Sequence, residues 1–92
     1  MRPVDLIAGL HTTVLGLARD GQLDRDAGKE LTKRLREAAE KLADGKVDKA
    51  RDKLAEFGEK VAKLRKENKL SDAGYQTLIA GLTQLVALLP NR

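Results

Sequence analysis

The sequence predicts an all-α fold: an antiparallel up-down-up-down four-helix bundle, with residues 1–92 forming a single domain. Three observations carry this. A turn-like tetrapeptide occurs three times at near-equal spacing, as Gly21-Gln22-Leu23-Asp24, Gly45-Lys46-Val47-Asp48 and Asn68-Lys69-Leu70-Ser71. Between the copies, aliphatic residues recur at spacings of three and four, the signature of a helix with one apolar face. The material for a core is almost wholly aliphatic, because Cys and Trp are absent and there is one Phe and one Tyr. A chain this short buries a modest core, and no disulfide can staple it.

Each position of the tetrapeptide has a physical role. Gly or Asn accepts the left-handed conformation that ends a helix. Asp or Ser accepts hydrogen bonds from the unpaired N–H groups at the start of the next helix. The aliphatic residue between them can fold back onto the end of the bundle; Leu70 has Tyr75 in place for this contact. Helices are therefore expected at about 3–20, 24–44, 48–67 and 71–89, with Pro3 and Pro90 at the outer boundaries. Similar helices joined by short turns fold back on one another. A three-helix core with the first helix docked less firmly is the alternative.

The first helix carries Leu6, Ile7, Leu10, Val14 and Leu17, with Val4 and Leu15 to one flank. The second has a narrow stripe of Ala27, Leu31, Leu35, Ala38 and Leu42. Its charged faces offer Glu30–Arg34, Lys33–Glu37 and Glu37–Lys41 pairs at helical spacing. The third repeats Val47, Ala50, Leu54, Phe57, Val61 and Leu64. The fourth has Tyr75, Leu78, Ile79, Leu82, Leu85, Val86 and Leu89 on one side.

Helices 1 and 4 differ from the other two. They are nearly uncharged between Leu6 and Ala18 and between Gly74 and Leu89. Their apolar arc is wider than the ~100° that a surface helix needs to reach its core. Two readings follow: the pair packs as the interior of the bundle, or the surplus is an exposed patch for a partner or for self-association through helices 1 and 4. Gly9 and Gly16 lie beside Asp5 and Thr12, off the main stripe, where small residues would leave a shallow groove or are simply tolerated. The candidate partner surface is Val4, Gly9, Leu15, Gly16, Gly81 and Leu88. Six glycines inside expected helices argue against a designed bundle.

Reactive chemistry is scarce. His11 is the one side chain whose ordinary titration falls near neutrality, and it has no second His or Cys to form a ligand set. Ser71 is the one serine, and a capping role accounts for it. The Asp24/Asp26 and Asp48/Asp52 pairs lack the remaining oxygens of a calcium loop, and no glycine-rich phosphate loop is present. No catalytic, cofactor-binding or metal-binding residue is assigned, and an enzyme is not expected. The net charge of +4 arises within residues 46–69, which hold nine basic and five acidic residues. Lys60, Lys63, Lys66 and Lys69 form a candidate basic face, and binding of nucleic acid or another anionic partner through it is the alternative function. Too few aromatics for base stacking weaken that alternative. A membrane role is weaker still, because helices 1 and 4 lack Lys and Arg on their polar faces. No signal peptide or membrane span is read in the chain, and its compartment is undetermined.

The turns also carry a resemblance. The stretch from Gly21-Gln22-Leu23-Asp24 through Lys33-Arg34-Leu35 to Ala43-Asp44-Gly45-Lys46, followed by Ala50-x-x-x-Leu54-x-x-Phe57, resembles a helical module of the FIMAH/FIVAR-like type. It covers about residues 20–89. Such modules accompany secreted hydrolases of actinobacteria and related bacteria and the C-terminal parts of some Ser/Thr protein kinases. The resemblance implies a non-catalytic accessory module, serving protein interaction or spacing, within a larger bacterial protein.

Overall fold

A computed structural model describes residues 2–89 and contains four α-helices: α1 (Pro3–Arg19), α2 (Arg25–Ala43), α3 (Val47–Lys66) and α4 (Asp72–Leu88). The expected boundary residue Pro90 lies outside the described residues. Among those described, the one non-helical pairing is an isolated antiparallel bridge between Leu23 and Leu70. α1 packs on α2 and α4, α3 packs on the same two helices, and the backbones of diagonal pairs stay more than 8 Å apart. Ile7, Leu10 and Val14 enter the shared core, so α1 is a full member of the ring. Phe57, Leu31, Leu35, Leu54, Leu64, Leu78 and Leu85 are the largest fully buried side chains.

All three expected helix ends adopt the left-handed conformation at the expected residue: Gly21 (φ 80°), Gly45 (φ 76°) and Asn68 (φ 63°). Each closes with the same paired hydrogen bonds. The Gln22 N–H donates to the Leu17 carbonyl, Lys46 to Lys41 and Lys69 to Leu64, at 2.8–2.9 Å. The preceding N–H reaches a second carbonyl in each case, from Gly21 to Ala18, Gly45 to Leu42 and Asn68 to Arg65. Carbonyls left over at the helix end are thereby satisfied.

The turns then diverge. The Asp24 carboxylate accepts from the Ala27 N–H at 3.1 Å, and the Ser71 hydroxyl accepts from the Gly74 N–H at 3.0 Å. Both capping residues are in extended or near-extended backbone, and each turn completes the other. The Asp24 N–H donates to the Lys69 carbonyl and the Ser71 N–H to the Gln22 carbonyl, both at 2.9 Å. The donors occupy corresponding positions of the tetrapeptide, as do the acceptors, so the bridge has local two-fold symmetry. The Ser71 hydroxyl also donates to the Gln22 side-chain carbonyl at 2.8 Å.

The middle turn has no such mate, and there the expected Asp48 cap is corrected. α3 begins at Val47, Lys46 occupies the capping position without a side-chain hydrogen bond, and Asp48 is already helical. Without a bridge to hold Val47 extended, the chain enters its helix earlier than at the other turns. The remaining boundaries differ from expectation by the capping residues: Asp20, Asp44 and Glu67 close helices, Asp24 and Ser71 open them, and Leu89 follows α4.

Candidate functional site

Two surfaces hold the candidate residues, and the charges separate them. The first is the exposed side of α2 and α3. Ion pairs here cross between helices rather than following the spacings expected within α2. Lys60 Nζ lies 2.8 Å from Glu30 Oε2, Arg34 Nε lies 3.5 Å from Glu56, and Lys53 Nζ lies 3.7 Å from Glu37. Arg34 also reaches Glu37 at 3.4 Å within α2. The hydrogen bond and charge of Lys60 hold the Glu30 carboxyl below its ordinary value. Desolvation opposes the Glu37 carboxylate, but Lys53, Arg34 and Lys33 together outweigh it and lower that value too.

This network bears on the basic face. Lys60 is neutralised across the interface by Glu30, and Lys69 Nζ stands 4.0 Å from Glu67. Lys63 shares a surface recess with Glu30, Glu56 and Glu59. Lys66 is exposed on the last turn of α3, where a cation complements the helix dipole. Arg65 is held by Asp72 at 2.9 Å and stacks 4.9 Å from the Tyr75 ring centre. The four lysines do not form one continuous unpaired surface.

The second surface is the outer side of α1 and α4. Among the described residues, the exposed large apolar side chains all lie on these helices: Val4 (37%), Leu15 (50%), Val86 (36%) and Leu88 (46%). A groove of about 480 Å³ runs between the two. Leu6, Gly9, Leu10 and Thr13 form one wall, and Thr77, Ala80, Gly81 and Gln84 form the other. The Thr13 hydroxyl donates to the Gly9 carbonyl at 2.9 Å and the Thr77 hydroxyl to the Ala73 carbonyl at 3.0 Å. Both donors are engaged within their own helices, which leaves the groove mostly lined by carbon.

The glycines along the two helices are not alike. A Cβ at Gly81 would lie 2.6 Å from Leu10 Cδ2, and one at Gly74 would lie 3.3 Å from Leu17 Cδ1. These two glycines let α4 approach α1. Gly9 and Gly16 meet nothing within 4 Å, so internal packing does not require them. Gly9 lines the groove on the α1 side and Gly81 on the α4 side.

The candidate partner surface thus divides. Gly9 and Gly81 line one groove. Leu88 continues the row Thr77, Gly81, Gln84 along α4 by one more helical step. Val4 and Leu15, eleven residues apart and so nearly in line on α1, occupy the flank away from Gly9. Gly16 is half-buried outside the groove lining. Val86, exposed on the other edge of α4, was not among the candidates, because the helical pattern assigns it to the buried stripe. His11 is half-buried on α1. Among the described residues, no group of His, Asp and Glu is arranged to hold a metal ion, and no helix is long and apolar enough to cross a membrane.

Neither the curated proteins nor the solved structures yield a match to this chain. The family profile of the FIMAH domain matches residues 7–87, which includes all three turns and most of both outer helices. The chain, four helices around a bridge of two repeated turns, belongs to the FIMAH domain family.

Proposed function

We propose that the chain is a non-catalytic interaction module of a larger bacterial protein, an actinobacterial-type secreted enzyme or Ser/Thr kinase, and that the outer side of α1 and α4 is its working face. The observation that carries this is the concentration of exposed apolar side chains and the carbon-lined groove on the two uncharged helices. An apolar surface that the bundle itself does not cover gains free energy when a partner covers it. Family membership supports the accessory role, because FIMAH is an accessory, non-catalytic domain family.

The bundle that presents this face is read as up-down-up-down, with neighbouring helices antiparallel. Support comes from contacts that run in opposite directions along each pair. Glu30, Arg34 and Glu37 meet Lys60, Glu56 and Lys53 in descending order, while Gly74 and Gly81 approach Leu17 and Leu10.

The test places charge on each face of the full-length host. Leu15→Glu with Leu88→Glu is expected to detach the module, seen as a larger radius of gyration by small-angle scattering. Lys63→Glu with Lys66→Glu is expected to leave it unchanged. Expansion with the lysine variant alone transfers the function to the basic end of α3. No expansion with either makes the module a spacer.

A further inference from the structure

We propose that the exposed seam between α1 and α2 docks an acidic amphipathic helix of a partner polypeptide, its carboxylates set over Arg25, Lys29, Lys33 and Arg36 and its apolar residues over Val4 and Leu15. The site goes beyond the reading of the α1/α4 side, with which it shares only Val4 and Leu15.

Four cations on α2 stand outside the ion network. Arg25, Lys29, Lys33 and Arg36 are exposed, and among the described residues they make no ion pair. Lys33 alone is felt by carboxylates of the bundle, those of Glu30 and Glu37. The first three are spaced four apart and the last follows by three, so each repels the next along one stripe. Arg25 is also the first residue of α2, where a cation opposes the helix dipole. Stability of the fold accounts for Arg34, Lys53 and Lys60, which find carboxylates on the neighbouring helix. It does not account for a row of four that repel one another, and an anionic partner relieves that repulsion.

The fold sets this row beside the exposed apolar flank of α1. A Cβ at Gly28 would lie 3.4 Å from Ala18 Cβ, which fixes the sides on which the two helices meet. Passing outward round α2 from Gly28 come Thr32, Arg25, Arg36 and Lys29, each within about 40° of the last. Passing outward round α1 from Ala18 come His11, Val4 and Leu15, each within about 20°. With the helices antiparallel, Leu15 is level with the turn of α2 between Lys29 and Arg36. Each wall is thus a straight row of roughly 16 Å, one cationic and one apolar.

The borders of the seam select a narrow occupant. Asp26, Glu30 and Glu37 flank the cations on the α3 side, and Glu40 ends the row one turn beyond Arg36. On α1, Asp5 faces Arg2 at 3.6 Å, about a quarter turn from Val4. A flat anionic membrane or a nucleic-acid duplex broad enough to cover both walls would press its phosphates against these carboxylates. Stacked single strands find no platform, because Phe57 and Tyr75, the two aromatics, lie on α3 and α4. A helix about 10 Å wide fits between the borders. An acidic row beside an apolar row on that helix matches both walls, the arrangement by which amphipathic helices dock in grooves.

Amide chemical-shift titration of the chain tests this, with a synthetic helical peptide carrying Glu at i, i+4, i+8 and i+11 beside a row of Leu. Shifts are expected along Val4–Leu15 and Arg25–Arg36, with affinity that falls as salt rises. Lys29→Glu with Arg36→Glu is expected to weaken this peptide at least about tenfold and to bind a version with Lys in place of Glu. Lys63→Glu with Lys66→Glu leaves binding unchanged. Circular dichroism is expected to find the double reversal folded, since neither residue is paired in the bundle. Lys29→Gln with Arg36→Gln, a milder change, is expected to weaken the Glu peptide without creating the reverse preference. The proposal is overturned by no shifts up to millimolar peptide, by an equal response to a scrambled peptide of the same composition, or by indifference to both double variants. Tighter binding of duplex DNA or of phosphatidylglycerol vesicles through the same residues also overturns it, and makes the row a general polyanion surface. Expansion of the host with Leu15→Glu and Leu88→Glu, but no peptide binding, removes the seam and leaves the α1/α4 reading standing. Peptide binding without that expansion does the reverse.

Discussion

Glycine does two different jobs in this chain, and substitution separates them. Gly21 holds φ 80° and Asn68 holds φ 63° at equivalent positions of paired turns. Alanine at Gly21 is expected to cost about 1–2 kcal/mol, because a Cβ is strained in the left-handed region. Asn68→Gly should be neutral or gain up to about 1 kcal/mol by relieving the same strain. Gly9→Ala is expected to stabilise by roughly 0.8–1 kcal/mol in chemical denaturation, since it is helical and open. Gly81→Ala must move Leu10 and should be the less stable of the two alanine variants. The turn residues were legible because left-handed backbone has a sharp sequence preference. The separate role of Gly81 was not, because close approach of two helices depends on their register, which helical spacing alone leaves undetermined.

The paired turns and the α2/α3 ion network are where the elements lock together. Leu23 and Leu70 are 3% and 5% exposed at the ends of the bridge. Replacing either by alanine should cost about 2–5 kcal/mol, the range for a buried leucine that leaves a cavity. Ser71→Ala should cost about 1 kcal/mol through its cap and also releases Gln22. Glu30 and Glu37 make a different prediction. Both titrate below the ordinary value of 4.5 when folded, so the unfolded chain takes up protons first as the solution is acidified. Their stabilisation is complete above pH 4.5 and fades as pH falls through the lower folded values. In thermal melts across this range, Glu30→Gln with Glu37→Gln should flatten the acid limb. Three copies of one tetrapeptide suggested three equivalent turns. The up-down-up-down order puts the first and third copies at one end of the bundle, but nothing in the tetrapeptide says that they will hydrogen-bond to each other, so the bridge and the early start of α3 at Val47 appear only in the structure. Likewise, Glu30 choosing Lys60 over Arg34 depends on a neighbouring helix brought within 2.8 Å.

At the scale of the molecule, charge is distributed by side. α2 and α3 carry an ion-paired surface, and α1 and α4 carry an uncharged one with Val4, Leu15, Val86 and Leu88 exposed. The excess of apolar residues on the outer helices was visible in the sequence. What the periodicity did not settle was whether packing would consume it. Helices 1 and 4 do pack together, yet each also faces outward in a ring of four, so part of each wide arc stays uncovered. The basic excess of residues 46–69 was equally legible, but its partial neutralisation by Glu30 on α2 was not. On the proposed function, the uncharged side and not the basic end of α3 is the working face. Hydroxyl-radical footprinting of the isolated chain and of the same chain within its full-length host tests it most directly. Leu15, Val86 and Leu88 are expected to lose reactivity in the host while Lys63 and Lys66 keep theirs. Protection of the two lysines with the three apolar residues unchanged would contradict it.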